Sequence, residues 1–229
     1  MPASHYWAVV PAAGLGRRMA APRPKQYLDL AGQAIITRTL KTLTSHPSIQ
    51  GVMVAVSADD EWWPSIPELG VHVCEGGAER CHSVCNALLA LLDVDADASD
   101  WVLVHDAVRP LVTHADISRL IEQVGEAYDG GLLGVPVRDT MKRTDAAGQV
   151  KETVSRELLW HALTPQQFRL GALKQALTTA LEADELPTDE CQAMERSGVK
   201  PLMVEGSPAN IKVTHPRDLD LALKLLGVT

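Results

Sequence analysis

No apolar run in this chain approaches the roughly 20 residues that a membrane-spanning helix requires, and the N-terminal "MPASHYWAVV" has neither the cationic start nor the long apolar stretch of a secretory leader. A cytoplasmic location is the expectation. A basic surplus is missing as well: 21 Lys and Arg stand against 29 Asp and Glu, a net charge of −8. That balance excludes a broad cationic face for nucleic acid or anionic lipid. The 4 cysteines, Cys74, Cys81, Cys85 and Cys191, are too few for a disulfide framework in 229 residues. Cys81, His82 and Cys85 share a helical spacing but have no fourth metal ligand at a sensible distance, and "LLDVDADASD" lacks the glycine and terminal glutamate of a calcium loop. Internal repeats and low-complexity segments are absent too.

The composition, 46% hydrophobic and 22% charged, is that of a globular domain, and the length suffices for one core that buries roughly 70% of the unfolded chain's surface. Short apolar runs, "YWAVVPA", "GVMVAVS", "VHVCEGG", "WVLVHDA" and "GLLGVPV", read as strands buried on both faces. Between them "AIITRTLKTLTSH", "AERCHSVCNALLALL" and "HADISRLIEQVGEAY" carry apolar residues at helical spacing, with Val84, Leu88, Leu91 and Leu92 forming one stripe. This alternation predicts an α/β fold: a doubly wound, mostly parallel, Rossmann-like sheet. From residue 138 to 163 the pattern breaks. "RDTMKRTDAAGQVKETVSRELLWHAL" has no apolar helix face, and "DAAGQ" reads as a hairpin turn. Two readings stay open for this segment, an arm that packs on a partner subunit and a flexible surface hairpin. Helical patterns follow in "LGALKQALTTALEA", "DECQAMERSG" and "HPRDLDLALKLLG", with a strand-like "KPLMVEG" and a short "NIKVT" between the last two. The whole, residues 1–229, is read as a single domain with one protrusion.

The first strand runs directly into Pro11-Ala12-Ala13-Gly14-Leu15-Gly16, which sets two glycines at the carboxyl edge of the sheet, where open α/β folds bind ligands. A dinucleotide fingerprint needs a third glycine where Met19 stands, and the Walker spacing is absent. Four of the chain's cations, Arg17, Arg18, Arg23 and Lys25, fall within nine positions of this stretch. Small residues open backbone N–H groups to phosphate oxygens, and the cations add full charges around a polyanion. Together they describe a loop able to wrap a triphosphate. "VLVHDAVRP" brings Asp106 and Arg109 to the same sheet edge, the first suited to a hydroxyl or magnesium and the second to phosphate.

"PAAGLGRRM…PKQY", "VLVHDAVRP", "VPVRDTMKR", "LWHALTPQ" and "NIKVT", in this order over roughly residues 7 to 226, resemble the 2-C-methyl-D-erythritol 4-phosphate cytidylyltransferases of non-mevalonate isoprenoid synthesis. The resemblance implies transfer of a cytidylyl group from CTP to 2-C-methyl-D-erythritol 4-phosphate, with release of pyrophosphate. It assigns Pro11, Ala12, Ala13, Gly14, Leu15 and Gly16 to CTP, and Arg18 and Lys25 to charge at the α-phosphate. "GG-x-x-R-x-x-SV" becomes Gly76-Gly77-Ala78-Glu79-Arg80-Cys81-His82-Ser83-Val84, so Gly76, Gly77 and Ser83 are implied base and ribose contacts; Ser83 also reads as an ordinary helix hydroxyl, and Ala78 stands where the family often carries a polar residue. Asp106, Ala107 and Arg109 line the second substrate's pocket by the same likeness, Thr164 and Lys212 complete it, and Thr140 and Arg156 reach it from the partner subunit. The resemblance also implies that Arg156 and Lys212 hold the attacking phosphate. The implied assembly is a homodimer whose β-arm mediates dimerisation, and the implied cofactor is Mg2+ held mainly by the phosphates of CTP, with no metal site of the protein's own. His105 and His161 are read as structural. A ribitol 5-phosphate cytidylyltransferase shares the CTP loop and "HDA-x-RP", whereas "RDTMKR" and "LWHALTPQ" favour the methylerythritol substrate. Gly14-x-Gly16 with Asp59 gives only weak support to a nicotinamide dehydrogenase, and a noncatalytic nucleotide-binding regulator would not need Arg18, Lys25, Arg156 and Lys212 together.

Overall fold

The structure is a computed structural model that describes residues 5–14 and 23–227. Leu15, Gly16, Arg17, Arg18 and Met19 lie outside the described residues. In the first strand, β1 (Tyr6–Pro11), alternate side chains enter two different cores. Ala8 and Val10 pack with β2 (Ile49–Val56) residues Val52 and Val54, with Ile36 and Leu40 of α1 (Ile35–Thr44), and with Ile117 of α3 (His114–Val124). Trp7 and Val9 point the other way, to Val84, Leu88 and Leu91 of α2 (Arg80–Leu92) and to Leu173 and Leu177 of α4 (Leu170–Glu182). A strand with apolar groups on both faces is therefore covered by helices on both faces, as its sequence requires.

Seven strands lie in the order β3-β2-β1-β4-β8-β5-β9, where β3 is His72–Glu75, β4 Trp101–Val104, β5 Gly130–Pro136, β8 Trp160–Arg169 and β9 Leu202–Glu205. The chain passes from β1 to β2 and β3 on one side, then crosses to β4 on the other. β1 and β4 thus flank the point where the winding reverses, and crevices form there at carboxyl strand ends. The helices α5 (Glu190–Arg196) and α6 (Pro216–Leu225) complete the chain.

β3, read as buried on both faces, is an edge strand that leaves Val73 46% exposed, and two further features depart from the sequence reading. β8 is a central strand antiparallel to both β4 and β5, although its segment shows no strand-like apolar run. Gln166 and Gln167 interrupt the pattern yet are 1% and 0% exposed. Pro165 has no N–H for the ladder, and three residues of β8 oppose one of β5 there, with Leu132 paired to Gln166 and Gly134 to Ala162. The protrusion is also shorter than expected. β6 (Met141–Thr144) and β7 (Val150–Val154) form a separate antiparallel hairpin, while residues 160–163 belong to the central sheet. Among the described residues no helix is long and apolar enough to cross a membrane.

Candidate active site

Three adjacent loops at carboxyl strand ends enclose a cleft of about 350 Å³. After β1, the backbone of Pro11–Gly14 forms one wall. Its path is fixed by Ala12 N–H donating to the Ala55 carbonyl at 2.7 Å, and by Gln26 Nε2 donating to the carbonyls of Ala12 at 2.7 Å and Gly14 at 3.2 Å. Gln26 belongs to a single 3-10 turn, Lys25–Tyr27, entered through Pro24, so the same turn that ties the loop down brings Lys25 to the cleft. A Cβ on Gly14 would meet no atom of the described residues within 4 Å.

The second wall follows β3. A Cβ on Gly76 would lie 2.4 Å from Ala13 Cβ, so the close approach of the two loops requires glycine there. Gly77 N–H donates to Ser83 Oγ at 3.0 Å, and Ser83 Oγ lies 3.2 Å from the Glu79 carbonyl. The Ser83 hydroxyl thus shapes the loop that starts α2 while it also lines the cleft.

The floor follows β4. Asp106 is 6% exposed and receives Arg80 Nε at 3.1 Å, Arg109 Nε at 3.2 Å and Lys212 Nζ at 3.0 Å. Burial opposes its charge, but Arg80, Lys212 and Arg109 outweigh that and hold its carboxyl well below the usual carboxylate range. Behind it runs a chain of hydrogen bonds. Asp106 N–H donates to Thr164 Oγ1 at 3.1 Å, and that hydroxyl lies 2.9 Å from His105 Nδ1. His105 Nε2 lies 3.1 Å from the Arg109 carbonyl, which only accepts, so Nε2 carries the proton and Nδ1 accepts from Thr164. Complete burial is the main cause that pushes the imidazole down to about 4. His105 is therefore a neutral strut under Asp106.

Lys212 reaches this floor from "NIKVT", which is an extended segment rather than a strand. Val213 N–H donates to the Val108 carbonyl at 2.9 Å, Arg109 Nη1 donates to the Asn210 carbonyl at 2.8 Å, and Asn210 Nδ2 donates to the Thr164 carbonyl at 2.7 Å. These bonds lay the segment along residues 107–109 and so bring the lysine over Asp106.

Of the residues singled out in sequence, Pro11, Ala12, Ala13, Gly14, Lys25, Gly77, Ser83, Asp106, Ala107 and Lys212 line one cleft. Gly76 packs behind it, and the side chains of Arg109 and Thr164 are engaged beneath it. Thr140 and Arg156 stand apart on the hairpin side of the molecule, both exposed, with Arg156 Nη1 donating to the Arg138 carbonyl. The sequence motifs assign no role to Gln26, Arg80 or Glu190, all of which the structure joins to the site. Arg80 opens α2 within a motif whose glycines and serine carry the resemblance to a base-binding loop. Glu190 resembles any acidic residue in the first turn of a helix, and only the fold reveals that it is 1% exposed.

The cleft offers cations and backbone donors on one side and a single, cation-saturated carboxylate on the floor. That arrangement suits anionic ligands. The family model for IspD, 2-C-methyl-D-erythritol 4-phosphate cytidylyltransferase, matches residues 6–227. The enzyme of that name from Pseudomonas aeruginosa is 52% identical over 217 residues, covering 93% of each chain. Its counterpart from Pseudomonas fluorescens is 51% identical over 218 residues, covering 94% of this chain and 93% of the relative. A crystal structure of 4-diphosphocytidyl-2C-methyl-D-erythritol synthase superposes with a TM-score of 0.87 at 36% identity, covering 99% of this chain and 100% of that one. The Francisella tularensis 2-C-methyl-D-erythritol 4-phosphate cytidylyltransferase follows at 0.83 and 34%, covering 96% and 98%. A match that runs from the first strand to the last helix, over a cleft built for anionic substrates, makes this chain a member of the 2-C-methyl-D-erythritol 4-phosphate cytidylyltransferase family.

Proposed function

We propose that this cleft joins CTP to 2-C-methyl-D-erythritol 4-phosphate, forming 4-diphosphocytidyl-2-C-methyl-D-erythritol and pyrophosphate. The observation that carries the reading is the convergence of Lys25, Lys212 and the Pro11–Gly14 backbone on one cleft whose floor is Asp106. The triphosphate lies along the Pro11–Gly14 backbone, with Lys25 and Arg18 at its α-phosphate. The base sits against Gly77 and Ser83, which Gly76 backs by its close packing on Ala13, and Ala78 offers only its backbone.

The attacking group is a phosphate monoester. With a second pKa of about 6 it is already largely anionic near neutrality, so the protein's task is orientation and charge stabilisation rather than proton abstraction. His105 supports this division: both its nitrogens are engaged, and burial keeps it neutral. Lys212 and Arg156 hold the attacking phosphate, while Asp106 takes a hydroxyl of the methylerythritol. As the phosphate oxygen attacks the α-phosphorus in line, pyrophosphate departs and negative charge spreads over the nonbridging oxygens. Lys25 and Arg18 meet that charge, as positioned cations do in other phosphoryl-type transfers.

Among the described residues no three His, Cys, Asp or Glu side chains gather as a metal site. Asp106 faces three cations, a donor set unfit for a resident ion. Magnesium held by the phosphates of CTP would neutralise triphosphate charge beside Lys25. Arg156 and Thr140 serve the cleft of a second copy in a homodimer. The exposure of Val150 at 61%, on the hairpin, and of Leu158 at 89%, beside it, supports a partner surface there. An acidic enzyme acting on small anionic metabolites fits the cytoplasm.

The test is pyrophosphate release from CTP and magnesium with methylerythritol 4-phosphate, compared with ribitol 5-phosphate and repeated with a chelator. Release with the first acceptor alone, abolished by the chelator, is the expected result. No release with methylerythritol phosphate overturns the proposal.

A further inference from the structure

Glu190 is a buried carboxylate with no part in the chemistry described above, on a helix whose other residues in contact with the core are apolar. It sits at the first position of α5, directly after Asp189, which caps that helix by accepting from Gln192 N–H at 2.9 Å. Its two oxygens receive Arg80 Nη1 at 2.6 Å and Nη2 at 2.9 Å, a bidentate pair with the geometry that a guanidinium fork favours. The same guanidinium turns its Nε edge to Asp106 Oδ1 at 3.1 Å. Three of its five N–H donors are thereby committed, and the side chain still lines the cleft. The carboxylate that faces substrate is thus aimed by a cation that is itself aimed from α5.

Resting on the function proposed above, we propose that Glu190 is a positioning residue for the transfer reaction, clamping Arg80 at both Nη atoms so that Asp106 and Lys212 keep their shared geometry in the cleft. Three cations, Arg80, Arg109 and Lys212, face two carboxylates, Asp106 and Glu190, which leaves the cluster one net positive charge. Removal of Glu190's charge doubles that excess and releases the fork. Arg80 is then drawn to the nearest remaining anions, Asp106 and the phosphates of bound substrate. It competes with Lys212 for Asp106 Oδ2, and the hydroxyl-binding edge of the floor loses its alignment. An acid whose only task was to start α5 would leave the cleft unaffected, because Asp189 already supplies the cap.

The test compares wild type, Glu190→Gln, Glu190→Asp, Arg80→Lys and the double variant Glu190→Gln/Arg80→Lys. Pyrophosphate release is measured with each substrate varied in turn, and thermal unfolding is measured alongside. For Glu190→Gln we expect a loss of roughly 10- to 100-fold in kcat, the scale of a small misplacement of reacting groups. KM for CTP changes little. Glu190→Asp restores part of the loss, because one carboxylate oxygen still reaches the fork, and the double variant is no worse than the poorer single one. Full activity in Glu190→Gln overturns the proposal, and so do losses that multiply in the double variant. If Glu190→Gln does not fold, Arg80→Lys decides: a kcat equal to wild type refutes the clamp, and a loss with an unchanged melting temperature supports it. Wild type that releases no pyrophosphate refutes the underlying function instead, which keeps the two failures apart.

Discussion

Asp106→Asn probes the charge cluster at its centre. The wild-type carboxylate is 6% exposed and lies within 3.2 Å of a nitrogen from each of Arg80, Arg109 and Lys212. Removing one partner from a buried ion pair costs about 3–5 kcal/mol, because a buried charge is left without compensation. The three cations do not suffer equally. The Lys212 and Arg80 side chains keep 38% and 28% of their exposure and rehydrate in part, and Arg80 retains Glu190. Arg109, at 10%, keeps the Asn210 carbonyl alone among the described residues. The loss therefore belongs at the lower end, about 3 kcal/mol. It should be read by urea unfolding at several pH values. Because the three cations hold the carboxyl well below the usual range, wild-type Asp106 stays ionised through mild acid, and the penalty should be the same at pH 8 as at pH 5. A penalty under about 1 kcal/mol, or one that disappears at pH 5, refutes the claim that this carboxylate is buried and fully charged.

Lys25→Ala should lower kcat about 100-fold or more, the equivalent of roughly 2.7–4 kcal/mol of lost transition-state stabilisation; wild-type turnover in the pyrophosphate assay removes Lys25 from the reaction. The depressed folded pKa of His105 means that its contribution to stability is present above the unfolded value of about 6.5 and is lost as pH falls toward about 4. On acidification from pH 7 to 4.5, the stability advantage of wild type over His105→Gln should therefore shrink by about 2 kcal/mol in urea titrations, and an unchanged difference refutes the buried neutral assignment. Co-expression of an Arg156→Ala chain with a Lys25→Ala chain should restore activity that neither homodimer has, because one of the two shared sites is then intact. No complementation in an isolated heterodimer means that Arg156 does not act across the interface.

The parts of the fold legible in the sequence are those in which local pattern and tertiary need coincide. β1, β2, β4 and β5 are apolar on both faces because helices cover both, and α2 shows its stripe because Val84, Leu88 and Leu91 all pack into one core. β8 was hidden because its tertiary role contradicts its pattern. Its centre carries two buried glutamines and a proline, and it is held by pairing with β4 and β5 rather than by β propensity. The candidate site divides along the same line. Gly14, Lys25, Asp106 and Arg109 fall in short motifs whose chemistry survives out of context, whereas Gly76, Gly77 and Lys212 are given by the family resemblance alone. Glu190 meets Arg80 across 110 positions of sequence, and no local signal records that contact.

That division has a physical basis in how an acidic chain builds a cationic cleft. Mutually repelling cations around one floor would drift apart or turn to solvent unless something buried between them fixes their separation. Here the carboxylates supply it: Asp106 gathers Arg80, Arg109 and Lys212 from three different segments, and Glu190 anchors the first of these from outside the cleft. The result is a small positive excess with defined geometry rather than a diffuse basic patch. Such an excess attracts a triphosphate and a phosphate monoester without holding the pyrophosphate product by unrestrained charge. The acids that give the protein its net negative charge thus include two that make its local positive charge usable.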